Sequence, residues 1–178
     1  MRIISGSKRG HKLFEFEGQD IRPTTDRVKE SMFNLIQDYV PDSRVLDLFG
    51  GSGALSFEAL SRGAEHAVCV DISKDSVAII KKNAMATGLL GLDIVNRDAM
   101  DYISSATEKF SVIFLDPPYN KGIIAPVINR IIDKGILEDE GIIVLESDFS
   151  DEHGHFSGLS ILKQRKYGRS YITIYKKG

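Results

Sequence analysis

Asp116-Pro117-Pro118-Tyr119 ends the apolar run Val112-Ile113-Phe114-Leu115. A charge, two residues without a free N–H and an aromatic ring are poor material for extending a sheet. They suit a planar group that has N–H bonds to donate. The exocyclic amine of a nucleobase is such a group, and it is a weak nucleophile because its lone pair is delocalised into the ring. Acceptors that take both N–H bonds draw the nitrogen towards a tetrahedral shape and aim the lone pair. Asp116 offers a carboxylate and Pro117 a carbonyl, on a backbone that Pro118 stiffens further. Tyr119 offers a stacking face, worth roughly 1–3 kcal/mol per base. These four residues are the expected catalytic set.

Three earlier acids and a glycine turn point to the partner in that chemistry. "LDLFGGSGALS" places Gly50, Gly51 and Gly53 between an apolar run and a helix-forming stretch, where glycine lets the backbone approach a ligand. Asp71 closes the next apolar run, eighteen residues after Gly53, and can accept both hydroxyls of a ribose. Asp98 closes the one after that. It is placed to accept from an adenine amino group, with the Ala99 N–H beside it. Alone, Asp71 could cap the following helix, but Ser73 can already do so. The set fits NAD or S-adenosylmethionine. Asp47 lies inside the first apolar run, where an acid needs a partner. It would sit badly under a pyrophosphate and well facing a cationic amino-acid tail, which favours S-adenosylmethionine. Phe49 and Ile72, adjoining these positions, complete the expected cofactor contacts.

The elements that must carry these residues alternate. Strands are expected at 44–49, 66–71, 92–98, 110–118 and 141–147. Helices follow the first four, the second capped by Ser73 and closed by Gly88, the last with Pro126 near its first turn. Nearly continuous apolar strands alternating with helices mean a parallel sheet covered on both faces. Ligands of such sheets sit beyond the carboxyl ends of the strands. Ahead of this lie a helix capped by Thr24 or Thr25 and, over residues 2–18, two short strands around a Gly/Ser/Lys turn. The last nineteen or so residues read as two antiparallel strands. Residues 1–20 are expected to form a hairpin appendage and 21–178 the main domain.

The 178 residues are 42% hydrophobic and 27% charged, with net charge −2. That composition suits a globular protein. No run is long enough to span a membrane, and "MRIISGSKRG" has no apolar leader core. The lone Cys69 excludes an internal disulfide. A cytoplasmic location, no membrane partner and a monomer are expected. Charge is uneven. Arg2, Lys8, Arg9 and Lys12 crowd the first twelve residues without an acid, and more basic residues crowd the C-terminal strands, a pattern that can track a phosphate backbone. The hairpin cations are the expected RNA contacts. His11, His66, His153 and His155 lack ligand spacing, and no metal is expected; the last two sit in a polar loop.

"RPTTDRVKESMFN", "DLFGGSGALSFEALSRGA", "DPPY" and "YGRSYITIY" together resemble the RsmD family of small-subunit (16S) ribosomal RNA guanine-N2 methyltransferases, which have the class I Rossmann-like fold. The resemblance covers nearly the whole chain. It implies a seven-stranded, mainly parallel sheet with an antiparallel last strand, S-adenosylmethionine as methyl donor, and a guanine of ribosomal RNA or of a small-subunit particle as acceptor. It also implies that Asp47, Gly51 and Gly53 contact the cofactor, Asp71 its ribose and Asp98 its adenine, that Asp116 to Tyr119 hold a flipped guanine, and that Arg22, Thr24 and Arg27 belong to the cofactor and RNA mouth. Many relatives carry Ala or Ser where this chain has Gly50, a departure expected to matter little. The Asp-Pro-Pro-Tyr signature alone also fits N6-adenine methylation of DNA or RNA, the alternative reading. Glutamine methylation usually shows Asn in place of Asp116. An NAD-dependent oxidoreductase has no use for the signature, and a non-catalytic RNA-binding module has no use for the acids.

Overall fold

A computed structural model of the chain describes residues 1–17, 25–119, 122–148 and 154–178. Arg22, Thr24 and His153 lie outside the described residues.

Seven strands form one sheet: β1 (Arg44–Asp47), β2 (His66–Asp71), β3 (Leu92–Asn96), β4 (Phe110–Leu115), β5 (Leu137–Asp148), β6 (Leu159–Tyr167) and β7 (Ser170–Lys177). Their order is β3-β2-β1-β4-β5-β7-β6. The first five run parallel, and β7 inserts antiparallel between β5 and β6. The expected architecture is therefore the observed one. The helices are α1 (Asp26–Leu35), α2 (Ala54–Ser61), α3 (Lys74–Thr87), α4 (Ala99–Ser105) and α5 (Ile124–Lys134).

Alternation along the strands divides the core. Leu46, Val68, Ile113 and Leu145 meet Tyr102 and Ile103 of α4 and Val127, Ile128 and Ile131 of α5. Val45, Ala67, Val112, Phe114, Val144 and Ile174 meet Met32 and Phe33 of α1, Ile36 at its C-cap, and Leu55 and Ala59 of α2. Ile80 of α3 packs beside Cys69 and Phe57 on this second side. Both faces of the central strands are thus covered, which is why their sequences are apolar throughout.

Strand ends differ from the sequence expectation for local reasons. β4 stops at Leu115 because Pro117 and Pro118 offer no N–H to a neighbour. β1 stops at Asp47, where the chain turns away towards the glycines. β5 starts at Leu137 rather than 141. Leu137 pairs with Phe110, the polar "EDEG" then bulges out with Glu140 at φ 63°, and pairing resumes at Ile142. The caps follow expectation: Thr25 accepts from the Val28 N–H, Ser73 from that of Ser76, and Gly88 closes α3 at φ 64°.

The N-terminal segment forms a short hairpin around the turn at residues 5–10. It makes a single antiparallel bridge, Arg2 to Lys12. Cross-strand backbone bonds flank it, from the Ile3 N–H to the His11 carbonyl at 2.9 Å, from Leu13 to Met1 at 3.0 Å and from Gly10 to Ile3 at 2.8 Å, while further backbone groups bond to the body of the protein. The Glu58 carboxylate accepts from the N–H groups of Ile4 (2.9 Å) and Ser5 (3.1 Å), and Ser61 Oγ accepts from that of Lys8 (2.9 Å). Glu58 is wholly buried and is paired with buried Lys29 at 3.2 Å and with Arg62 at 2.7 Å. Burial pulls the Lys29 ammonium pKa down, and the Glu58 charge pulls it back up. Ile3 and Leu13 enter the cluster of Phe57, Cys69 and Ile80. The arm therefore shares its core with the helices that flank the glycine turn.

Candidate active site

A cavity of about 560 Å³ opens beyond the carboxyl ends of β1, β2 and β4. Its wall includes Phe49, Gly51, Asp71, Ile72, Asp98 and Ala99 from the expected cofactor set, and all of Asp116, Pro117, Pro118 and Tyr119. The topology explains the convergence, because parallel strands bring every strand-to-helix turn to one edge.

The turn after β1 is held from several sides. Gly51 and Gly53 have φ of 58° and 81°, values that L side chains rarely adopt. Gly53 starts α2, and its N–H reaches the Gly50 carbonyl at 2.7 Å. The Asp71 carboxylate accepts the Gly51 N–H at 2.9 Å and the Ser73 N–H at 2.8 Å. Asn96 Nδ2 donates to the Asp71 and Ile72 carbonyls, fixing the end of β2. Asp98 caps α4, with one carboxylate oxygen accepting from the Met100 and Asp101 N–H groups. That capping role has a sequence signal, an acid just before a short helical stretch. The wall also includes Phe16, Leu48, Ser73, Asp75 and Ser76, which were not expected there. Phe16 lies some thirty residues ahead of β1, and no periodicity points to it.

Asp47 and Gly53 lie behind this wall rather than on it. Asp47 is 1% exposed and accepts from Ser56 Oγ at 2.8 Å. Its Oδ1 has no hydrogen-bond partner. Burial pushes its pKa up to about 6, with the nearby Asp71 charge adding to the rise and the Ser56 bonds opposing it. A buried acid with an unused acceptor beneath the turn suits a ligand that brings positive charge to that turn. The Asp71 and Asp98 carboxylates, with Phe49, Ile72 and Ala99 on the same wall, suit the polar and apolar parts of the remainder of S-adenosylmethionine. The residues present fit that group.

The expected RNA contacts are only partly gathered. Arg2, Arg9 and Arg27 line a second cleft, of about 580 Å³, between the arm and α1. Arg62 joins them, and so do Asp26 and Glu30, which temper the positive charge. Arg2 pairs with Asp26 at 3.7 Å. Lys8 and Lys12 do not line this cleft. Arg62 carries no sequence signal, since it reaches the cleft from the C-terminal cap of α2.

An open, mainly parallel sheet with one reversed strand and a cavity beyond its strand tips is the framework of the class I S-adenosylmethionine-dependent methyltransferases, and this chain has that framework. A family model described as "Conserved hypothetical protein 95" matches residues 1–176. The Bacillus subtilis (strain 168) protein YlbH is 40% identical over 182 residues, 99% of each chain. Ribosomal RNA small subunit methyltransferase D of Escherichia coli (strain K12) is 37% identical over 148 residues, 83% of this chain and 75% of that one. The solved structure of Escherichia coli yhhF superposes with a TM-score of 0.89 at 33% identity, covering 99% of this chain and 97% of that one. The chain belongs to this family, the RsmD family of ribosomal RNA small-subunit methyltransferases. Among the described residues, no helix is long and apolar enough to cross a membrane.

Proposed function

We propose that this protein methylates the exocyclic N2 amine of a guanine in 16S ribosomal RNA, with S-adenosylmethionine as donor. The observation that carries the reading is the shared cavity: Asp116 to Tyr119 border the same space as Asp71, Asp98 and the glycine turn. In this reading, acceptors for an amine and acceptors for a nucleoside border one cavity.

Bound S-adenosylmethionine supplies an electrophilic methyl carbon on a sulfonium. Asp71 and Asp98 orient the nucleoside, and the Asp47 charge favours the cationic end from beneath the turn. Asp116 and the Pro117 carbonyl accept the two N–H bonds of the guanine amine, and Tyr119 stacks on the base. Held in this way, the nitrogen lone pair would be aimed at the methyl group that bound S-adenosylmethionine would supply, with the thioether left on the cofactor and a proton to be shed from the nitrogen. Asp116, which accepts from that nitrogen in this reading, is the base assigned to take the proton. Because these acceptors line a cavity, a target inside a helix must first be flipped out or presented in a loop, at a few kcal/mol.

We assign RNA capture to the arm, with Arg2, Lys8, Arg9 and Lys12, and to Arg27 across the cleft. Charge reversal at Lys8, Arg9 and Lys12 should weaken RNA binding and leave cofactor binding intact. Equal loss of both, or of neither, would count against the assignment.

The test of the function is transfer of a tritiated methyl group to 16S RNA, both naked and in small-subunit particles, followed by digestion to nucleosides. Label in N2-methylguanosine supports the reading. Label in N6-methyladenosine overturns it in favour of the adenine alternative.

A further inference from the structure

Asn83 of α3 is wholly buried, and its side-chain amide is shared between two functional segments. Its Oδ1 accepts the Phe14 N–H at 2.7 Å, and its Nδ2 donates to the Phe14 carbonyl at 3.0 Å. Those two bonds imitate a neighbouring strand for the stretch that leaves the arm. The remaining bond, from Nδ2 to the Ser52 carbonyl at 2.9 Å, grips the glycine turn. Two residues beyond Phe14, Phe16 forms part of the cofactor cavity wall. The near end of the arm is fastened to α2 by Glu58 and Ser61, and α2 starts directly from the glycine turn.

The arm and the turn therefore share one frame, with Asn83 as the only side chain among the described hydrogen bonds that joins them directly. Both protons of its amide are used. Shifting either segment alone would leave a buried polar group without its partner, which is costly in a dry interior. A ligand that orders Gly51 and Phe16 lowers the cost of ordering the arm, and by reciprocity a ligand on the arm favours the ordered turn.

We propose that Asn83 is a positioning residue that couples cofactor occupancy to RNA capture, so that each ligand strengthens binding of the other. The inference rests on the assignment of the cofactor to the cavity and of RNA to the arm.

Two measurements test it. The first is the affinity for a 16S RNA transcript, with and without saturating S-adenosylhomocysteine, in the wild type, Asn83→Ala and Ser61→Ala. The wild type should bind RNA at least about 5-fold more tightly with the nucleoside present, the lower end of typical coupling. Asn83→Ala should bring that ratio close to one. Ser61→Ala loosens the arm from α2 only; it should weaken RNA binding and keep the ratio. A wild-type ratio of one, or an unchanged ratio in Asn83→Ala, overturns the proposal. The second is hydrogen exchange on the wild-type protein, which depends neither on RNA nor on a variant that folds. S-adenosylhomocysteine should slow exchange at the amides of Phe14, Ile4 and Ser5; unchanged exchange there overturns the proposal. If protection rises but reversing the arm charges leaves RNA affinity unaltered, the RNA assignment fails and the coupling to RNA falls with it, while the mechanical link stands.

Discussion

Gly50 lies so close to Cys69 that a Cβ added there would stand 2.4 Å from the Cys69 Sγ and 3.3 Å from Ile80 Cδ1. The turn at the end of β1 and the middle of β2 are thus packed against one another without room for a methyl group. The departure at Gly50 was expected to matter little; in this chain it is matched to the thiol beneath it. Gly50→Ala is expected to cost about 1–3 kcal/mol by overpacking. Cys69→Ala removes the obstructing atom, so the double variant should be more stable than the sum of the single losses requires. Urea unfolding of the four proteins checks this, and strict additivity would contradict it.

Asp71 supports the turn as well as facing the cavity. Asp71→Ala releases the Gly51 and Ser73 N–H groups together with any ligand hydroxyls. Losing charged hydrogen bonds worth about 1.5–3 kcal/mol should weaken S-adenosylmethionine binding roughly 10- to 100-fold. Asp71→Asn keeps one acceptor and should fall between. Titration calorimetry is the check, and an unchanged affinity in Asp71→Ala would contradict the assignment.

Asp47 has a pH signature. Its folded pKa, about 6, lies above its ordinary value of 3.8, so the folded protein binds this proton more tightly than the unfolded chain. Its favourable contribution is fully present below the ordinary value and is lost as pH rises through about 6. Asp47→Asn has no proton to lose. Relative to wild type, the variant should therefore gain about 2–3 kcal/mol of stability between about pH 4 and about pH 8. Urea unfolding at both ends of the range measures this difference, and a constant difference would refute it.

Glu58 is the anchor of the arm. Glu58→Ala leaves the Lys29 charge buried and strips the Ile4 and Ser5 N–H groups of their acceptor. The expected loss is about 3–5 kcal/mol, together with proteolytic cleavage within the first seventeen residues. An arm that stays protected would show that Ile3 and Leu13 hold it by packing alone.

What the sequence conveyed depended on whether the signal was local. The central strands were readable because burial on both faces demands apolar runs, and the turn chemistry was readable because glycines and acids recur at strand ends. The turn of the arm was readable, but its docking was not, because Glu58, Ser61 and Asn83, the side chains that hold its backbone to the body, lie fifty or more residues away. Phe16 and Arg62 reach their cavities through tertiary packing that no spacing encodes. Asp47 was recognised as an acid in need of a partner, yet its place beneath the turn required the coordinates of Ser56.

The role of the tip of β4 is tested most directly by single-turnover methyl transfer with Asp116→Ala. Loss of a prearranged acceptor in a dry site should slow the chemical step roughly 100- to 1,000-fold, while S-adenosylmethionine affinity and cooperative unfolding stay close to those of the wild type. Transfer at the wild-type rate would contradict the claim that this carboxylate grips the amine.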